Sequence, residues 1–106
     1  MNEMLFSRSE LLAADGLGPW PTIIKADEEI NIKRACHLAG KTDKTIRGWC
    51  KQYGIGGAMP GSSIRISAPA LMMVHHGDVA ALELLRQGNR NHPRVRRYFE
   101  DLGIPT

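Results

Sequence analysis

Between residues 31 and 54 the apolar positions recur twice with the period of a helix. In the first run Ile32, Ala35, Leu38 and Ala39 fall at spacings of three and four, behind Asn31, which suits an N-cap. Asp27 is an alternative start for this helix. Gly40 follows, where a helix end favours a left-handed residue. In the second run Ile46, Trp49, Cys50 and Tyr53 form one stripe, with Thr42 as the cap and Asp43 in the first turn. The pattern predicts two short helices joined by a tight turn.

After Gly54 the period changes from helix to strand. "IGGAMPGSSIRIS" is rich in glycine, proline and serine, and its end alternates polar and apolar residues. It predicts a small hairpin with its tip at residues 60–63 and Arg65 on the outer side. Ser67 then caps a helix with Pro69 in its first turn and Leu71, Met72 and Val74 to bury, ended by Gly77. Asp78 caps another helix that stops at Gly88. Pro93 opens a last one, ended by Gly103, in which Val95, Tyr98, Phe99 and Leu102 pack onto the preceding helix. On the N-terminal side, Ser7 and Glu10 have capping-box spacing for a short helix ending near Gly16, and "GPWP" forces an irregular path. A short strand is expected at residues 22–25, before a polar turn in which Asp27, Glu28 and Glu29 are expected to be exposed.

Charge divides along these boundaries. The chain has 106 residues and a net charge of +3. Residues 1–30 carry six acidic groups against two basic ones, whereas residues 31–65 carry seven basic groups against Asp43 alone. Within the second helix Lys44, Arg47 and Lys51 form a stripe on a different face from the apolar one. Gly48 lies among them and admits close approach to the backbone. One side of this helix therefore suits a core and the other a polyanion.

A helix, a glycine-containing turn and a second helix with a basic face is the helix-turn-helix order, and the hairpin behind it stands where a wing would. Residues 31–75 resemble the winged helix-turn-helix of the MerR superfamily, and within it the excisionase branch of recombination directionality factors. The resemblance is carried by Ala35, Ala39 and Gly40 at the end of the first helix, by "TIRGW" in the second, and by "IRISAPAL" leaving the hairpin. The sequence departs from the family in Lys41-Thr42, where an apolar residue and serine are usual. Its longer loop and two extra helices after Gly77 are also atypical. The resemblance implies a mainly α domain with a small β-hairpin wing. Residues 1–30 form a flanking segment with a short helix, 31–77 the DNA-binding core, and 78–106 a C-terminal helical extension of the same domain.

The expected DNA-binding residues are Lys41, Thr42, Lys44, Thr45, Arg47, Gly48 and Lys51 around the second helix, with Ser62, Ser63 and Arg65 on the wing. An α-helix fits the major groove, and the planar fork of Arg47 matches the O6/N7 edge of guanine. Helix-start N–H groups add an anion site, and the wing reaches flanking backbone or minor groove. Arg90, Arg94, Arg96 and Arg97 form a possible second basic surface, for phosphate or for the acidic segment of another copy.

Rival chemistry is thin. Cys36, His37, Cys50, His75 and His76 lack a Cys-x-x-Cys knuckle, the two cysteines suit small buried positions, and no cofactor or metal is expected. No phosphate loop or nucleophile motif appears, so an enzyme is not expected. No apolar run approaches the roughly 20 residues that span a bilayer. The N-terminus lacks signal-peptide order and two cysteines make no disulfide framework, so a cytoplasmic, nucleoid-associated location is expected.

The resemblance implies a DNA-binding accessory factor of excisionase type. Such a factor self-associates on tandem sites, bends an attachment site and steers a site-specific recombinase (integrase). The alternative is a MerR-like transcriptional regulator with the same module, and a third class is a protein-interaction domain. MerR-type regulators usually dimerise through a long C-terminal coiled coil. The few turns of "VAALELLRQG", with nothing after the last helix, favour the accessory factor.

Overall fold

The computed structural model describes residues 21–58 and 60–106. The helix expected near residues 7–16 and the path of "GPWP" up to Trp20 lie outside the described residues. The rest is mainly helical, with a three-stranded antiparallel sheet.

A 3-10 turn at Ala26–Glu28 leads into strand β1 (Glu29–Ile30). Asn31 then stays extended, and its side chain accepts the Arg34 N–H at 2.8 Å, which starts α1 (Ile32–Ala39). Asn31, not Asp27, is therefore the cap. Gly40 closes α1 at φ 64°, a conformation that penalises any residue with a Cβ. Thr42 starts α2 (Asp43–Tyr53) by accepting the Thr45 N–H at 3.3 Å.

The hairpin has the expected order. β2 (Gly56–Gly57) pairs antiparallel with β3 (Arg65–Ser67), Gly56 opposite Ile66 and Gly57 opposite Arg65. Only glycine fits at 56, since a Cβ there would lie 2.4 Å from the Arg65 carbonyl oxygen. The third strand is a correction. Residues 22–25, expected as a strand, pair with nothing in the sheet; β1 instead lies on the other side of β3, with Glu29 opposite Ser67 and Ile30 opposite Ile66. Ile23 is 75% exposed, so it has no core to face. The Thr22 N–H and hydroxyl donate to the Gly54 carbonyl, at 2.8 and 3.1 Å, closing the end of α2.

Helix α3 (Ala68–His75) is the hub, in contact with α1, β3, α4 (Val79–Arg86) and α5 (Pro93–Leu102). Ser67 caps it by accepting the Ala70 N–H. Packed from several sides, it has no single buried stripe. Leu71 is buried as expected, but the buried methionine is Met73; Met72 and Val74 are half-buried. Its core partners are Ala35, Ile46, Ile66, Leu82, Val95 and Phe99 among others. Asp78 caps α4 through the Ala81 N–H, and the His92 ring accepts the Arg94 N–H at the start of α5. Val95 and Phe99 are fully buried, with Tyr98 half-buried against them.

The acidic run at residues 27–29 is not uniformly exposed. Glu28 is 1% exposed and is held by Arg90 through both carboxylate oxygens. A charge so deeply buried is tolerable only with such a partner.

Candidate nucleic-acid interface

Helix α2 has two unlike sides. Ile46 and Cys50 are buried, and Trp49 and Tyr53 pack half-buried against the same core. Lys44, Arg47, Gly48 and Lys51 are exposed on the opposite side, as helical spacing dictates. Burial pushes the Cys50 thiol above its ordinary value, against the pull of Arg47, so it stays a neutral core residue. Cys36 is a free, half-buried cysteine packed on the core. Among the described residues no group of three His, Cys, Asp or Glu side chains is arranged to hold a metal ion.

The start of α2 is exposed at Lys41 and Thr42, with Thr45 half-buried behind them. The Thr42 hydroxyl accepts the Thr45 N–H and donates to the Thr45 hydroxyl at 3.1 Å. These two threonines therefore build the cap before they touch anything else. At the other end, the Tyr53 carbonyl accepts from Arg86 of α4. A guanidinium there suits the negative end of the helix dipole. The helix is thus fixed at its start by its own cap and at its end by the C-terminal extension.

The hairpin brings a second set of groups beside α2. Arg47 and Lys51 share one groove with Gly57, Ser62 and Ser63. A further concavity of the hairpin is lined by Ser62, Ser63 and Arg65. Arg65 projects outward as expected, its side chain 69% exposed, with its Nε 3.3 Å from Glu29 of β1. Residues between 6 and 16 positions apart in sequence thus meet on one concave surface of amide, hydroxyl and cationic groups. A Cβ added at Gly48 would meet nothing within 4 Å, so nothing in the described fold requires glycine there.

Two acids in this region escaped sequence reasoning. Asp43 hydrogen-bonds the Arg47 Nε one turn along the helix, and that contact and its charge hold the Arg47 proton still more firmly than usual. The spacing of four was the available signal. Glu29 reaches Arg65 across the sheet, and no local pattern announces it.

The possible second basic surface needs correction at Arg90. That side chain is 14% exposed, paired to Glu28, bonded to the Ile23 carbonyl and stacked over Phe99. It is a core tether, unavailable to an outside anion. Arg94, Arg96 and Arg97 remain exposed, but Arg94 pairs with Asp78 and Arg96 with Glu100. The groove containing Arg94 and Arg97 is also lined by Asp78, Glu100 and Asp101, so its charge is mixed. No helix among the described residues is long and apolar enough to cross a membrane.

Comparison of the chain with protein-family models, with curated proteins and with solved structures gives no match.

Proposed function

We propose that the protein is a sequence-specific DNA-binding accessory factor built on a winged helix-turn-helix. In this reading α1 and α2 are the two helices, α2 enters the major groove, and the β2–β3 hairpin is the wing. The observation that carries the reading is the shared groove of Arg47 and Lys51 with Ser62 and Ser63. Cations aligned on the outer side of a helix are common, but here hydroxyl and amide donors of a hairpin flank them. This is the combination that phosphate and base edges require. Lys44 and Gly48 lie on the same outer side.

The excisionase type is preferred over a MerR-like regulator for a specific reason. A dimerising regulator needs a free apolar helix beyond the wing to pair with its copy. Among the described residues, α4 is eight residues long, with Ala81, Leu82 and Leu85 buried within its own chain and Val79 exposed, and α5 packs on α3 and α4, so neither offers a continuous apolar face. Two small-domain copies on adjacent sites would then gain affinity by lying side by side on DNA. Bending the DNA, at a cost of about 1–6 kcal/mol, is offset by the added contacts. The partner is a site-specific recombinase, and the protein itself carries no reaction.

Footprinting on an attachment site, combined with an in-vitro excision assay with the cognate integrase, tests this. Cooperative protection of tandem sites and stimulated excision are expected. A single palindromic footprint, with excision equally efficient without the protein, would replace the reading with that of a promoter regulator. Absence of binding to duplex DNA at low salt would remove both.

A further inference from the structure

Among the described residues, arginines meet acids through either of two sets of atoms. Arg86 and Arg90 point inward and use their terminal Nη atoms. Arg86 donates to Glu83 and to the Tyr53 carbonyl, and Arg90 to Glu28 and the Ile23 carbonyl. Arg47, at the candidate interface, instead donates its Nε–H to Asp43, as Arg94 does to Asp78 elsewhere, and the Arg65 Nε lies 3.3 Å from Glu29. The Arg47 side chain makes no second hydrogen bond to a described residue. The Arg47 and Asp43 side chains are 55% and 56% exposed, so the pair stands on the outer face of α2.

We propose that Asp43 is the positioning residue that sets the base preference of Arg47. Its carboxylate fixes the guanidinium plane through Nε and leaves the Nη1/Nη2 edge to fork guanine O6 and N7. The inference rests on the reading of α2 as the DNA-contacting helix and deepens it. A free arginine side chain must lose rotamer freedom when it binds, and an arginine already held loses less. The fork also needs a defined plane, which a single flexible stem does not supply. The carboxylate has a second consequence. It sits in the first turn of α2, near incoming phosphates, so it lowers affinity for every sequence alike while sharpening one contact. A residue serving only the helix dipole would have no effect on which base is chosen.

Selection of binding sites from a random duplex library, run with the wild type, Arg47→Ala, Asp43→Ala and Asp43→Asn, tests the proposal. Thermal melts confirm folding, which an exposed position makes undemanding. The wild type should select a motif with one G·C pair whose preference vanishes in Arg47→Ala. Asp43→Ala should lose that same preference by roughly tenfold or more, while binding random duplex more tightly than the wild type. Asp43→Asn keeps an oxygen acceptor for Nε, so it should recover part of the preference while still gaining non-specific affinity. Retention of the full guanine preference by Asp43→Ala overturns the positioning role and leaves the DNA-binding reading intact. A motif unchanged by Arg47→Ala also overturns it, because Arg47 would then read no base. A wild type that selects no motif removes the interface itself, a separate failure.

Discussion

Arg47 on α2 and Arg90 after α4 are the same residue in opposite employment. Arg90 is 14% exposed and neutralises a glutamate that is 1% exposed, so it belongs to the fold. Arg47 is more than half exposed and pairs with an acid equally open to water, so it contributes little to the fold and remains available. The difference teaches that a basic residue's meaning lies in what faces it. The C-terminal extension turns Arg86 and Arg90 inward to hold the end of α2 and the turn before β1. The helix and hairpin turn Arg47, Lys51 and Arg65 outward. One part of the chain holds steady what the other part presents.

The most forceful way to break this contrast is Arg90→Ala. It strands Glu28 in the interior without its cation and strips the cover from Phe99, so it should destabilise the protein by about 3–5 kcal/mol. Urea unfolding measures this. Whatever fraction stays folded should bind DNA with wild-type affinity. A protein of unchanged stability with weakened DNA binding would instead return Arg90 to the interface.

Arg47→Ala is the mirror image. Stability should hold, and affinity for a specific site should fall roughly ten- to a hundredfold. Lys51→Ala should weaken all sequences alike and flatten the salt dependence by about one unit. Gel-shift titrations at several salt concentrations separate the two. Unchanged binding by a folded Arg47→Ala protein would take α2 out of the interface.

The ends and faces of α1 and α2 are legible in the sequence because their signals are local. Asn31, Gly40 and Thr42 set helix ends by bonds that reach only three or four residues, and the stripe of Ile46 and Cys50 is a periodicity within one element. What could not be read depended on distance. Glu28 and Arg90 meet across 62 positions, so no local pattern tells this buried pair from an exposed acid and a free arginine. β1 leaves no local signal because its two residues find their partners only on β3. Met73 is fully buried while Met72 and Val74 are half-buried, because α3 is packed on several sides and its environment is not set by one local stripe. On the candidate site, the exposed residues of α2 lie where spacing put them. Their grouping with Ser62 and Ser63 depends on how the hairpin folds back, which no spacing encodes.

A smaller effect tests the intermediate case, Asp78, which caps α4 and holds Arg94 and Tyr98 of α5 at 2.9 Å each. Burial alone pushes its carboxyl up. The Ala81 N–H, Arg94 and the Tyr98 hydroxyl outweigh that and hold it below the ordinary value. A lowered folded-state pKa means that the stabilisation is complete above the unfolded value near ~3.9 and is lost as pH falls through the lower folded value. Asp78→Asn should therefore flatten the acid limb of a stability-against-pH curve below about pH 4, with DNA binding at neutral pH unchanged. An acid limb identical to wild type would show that these bonds do not favour the charged form.

The finest test is Gly48→Ala, where stability and binding should move in opposite directions. A glycine inside a helix destabilises it by about 0.5–1 kcal/mol relative to alanine. Nothing in the described fold asks for that concession: a Cβ at 48 meets no atom within 4 Å, and the residue is exposed between the basic side chains of α2. Judged by the fold alone, alanine is the better residue, and the substitution should raise the melting temperature slightly. Judged by the interface, the added methyl stands where DNA would approach the helix backbone, and affinity should fall severalfold at constant salt. Melting and binding measured on the same preparation give both answers. A more stable protein with weaker binding places the contact at this turn of α2. Equal binding would move the contact toward the helix start, at Lys41, Thr42 and Lys44, and leave Gly48 a residue that neither the fold nor the ligand needs.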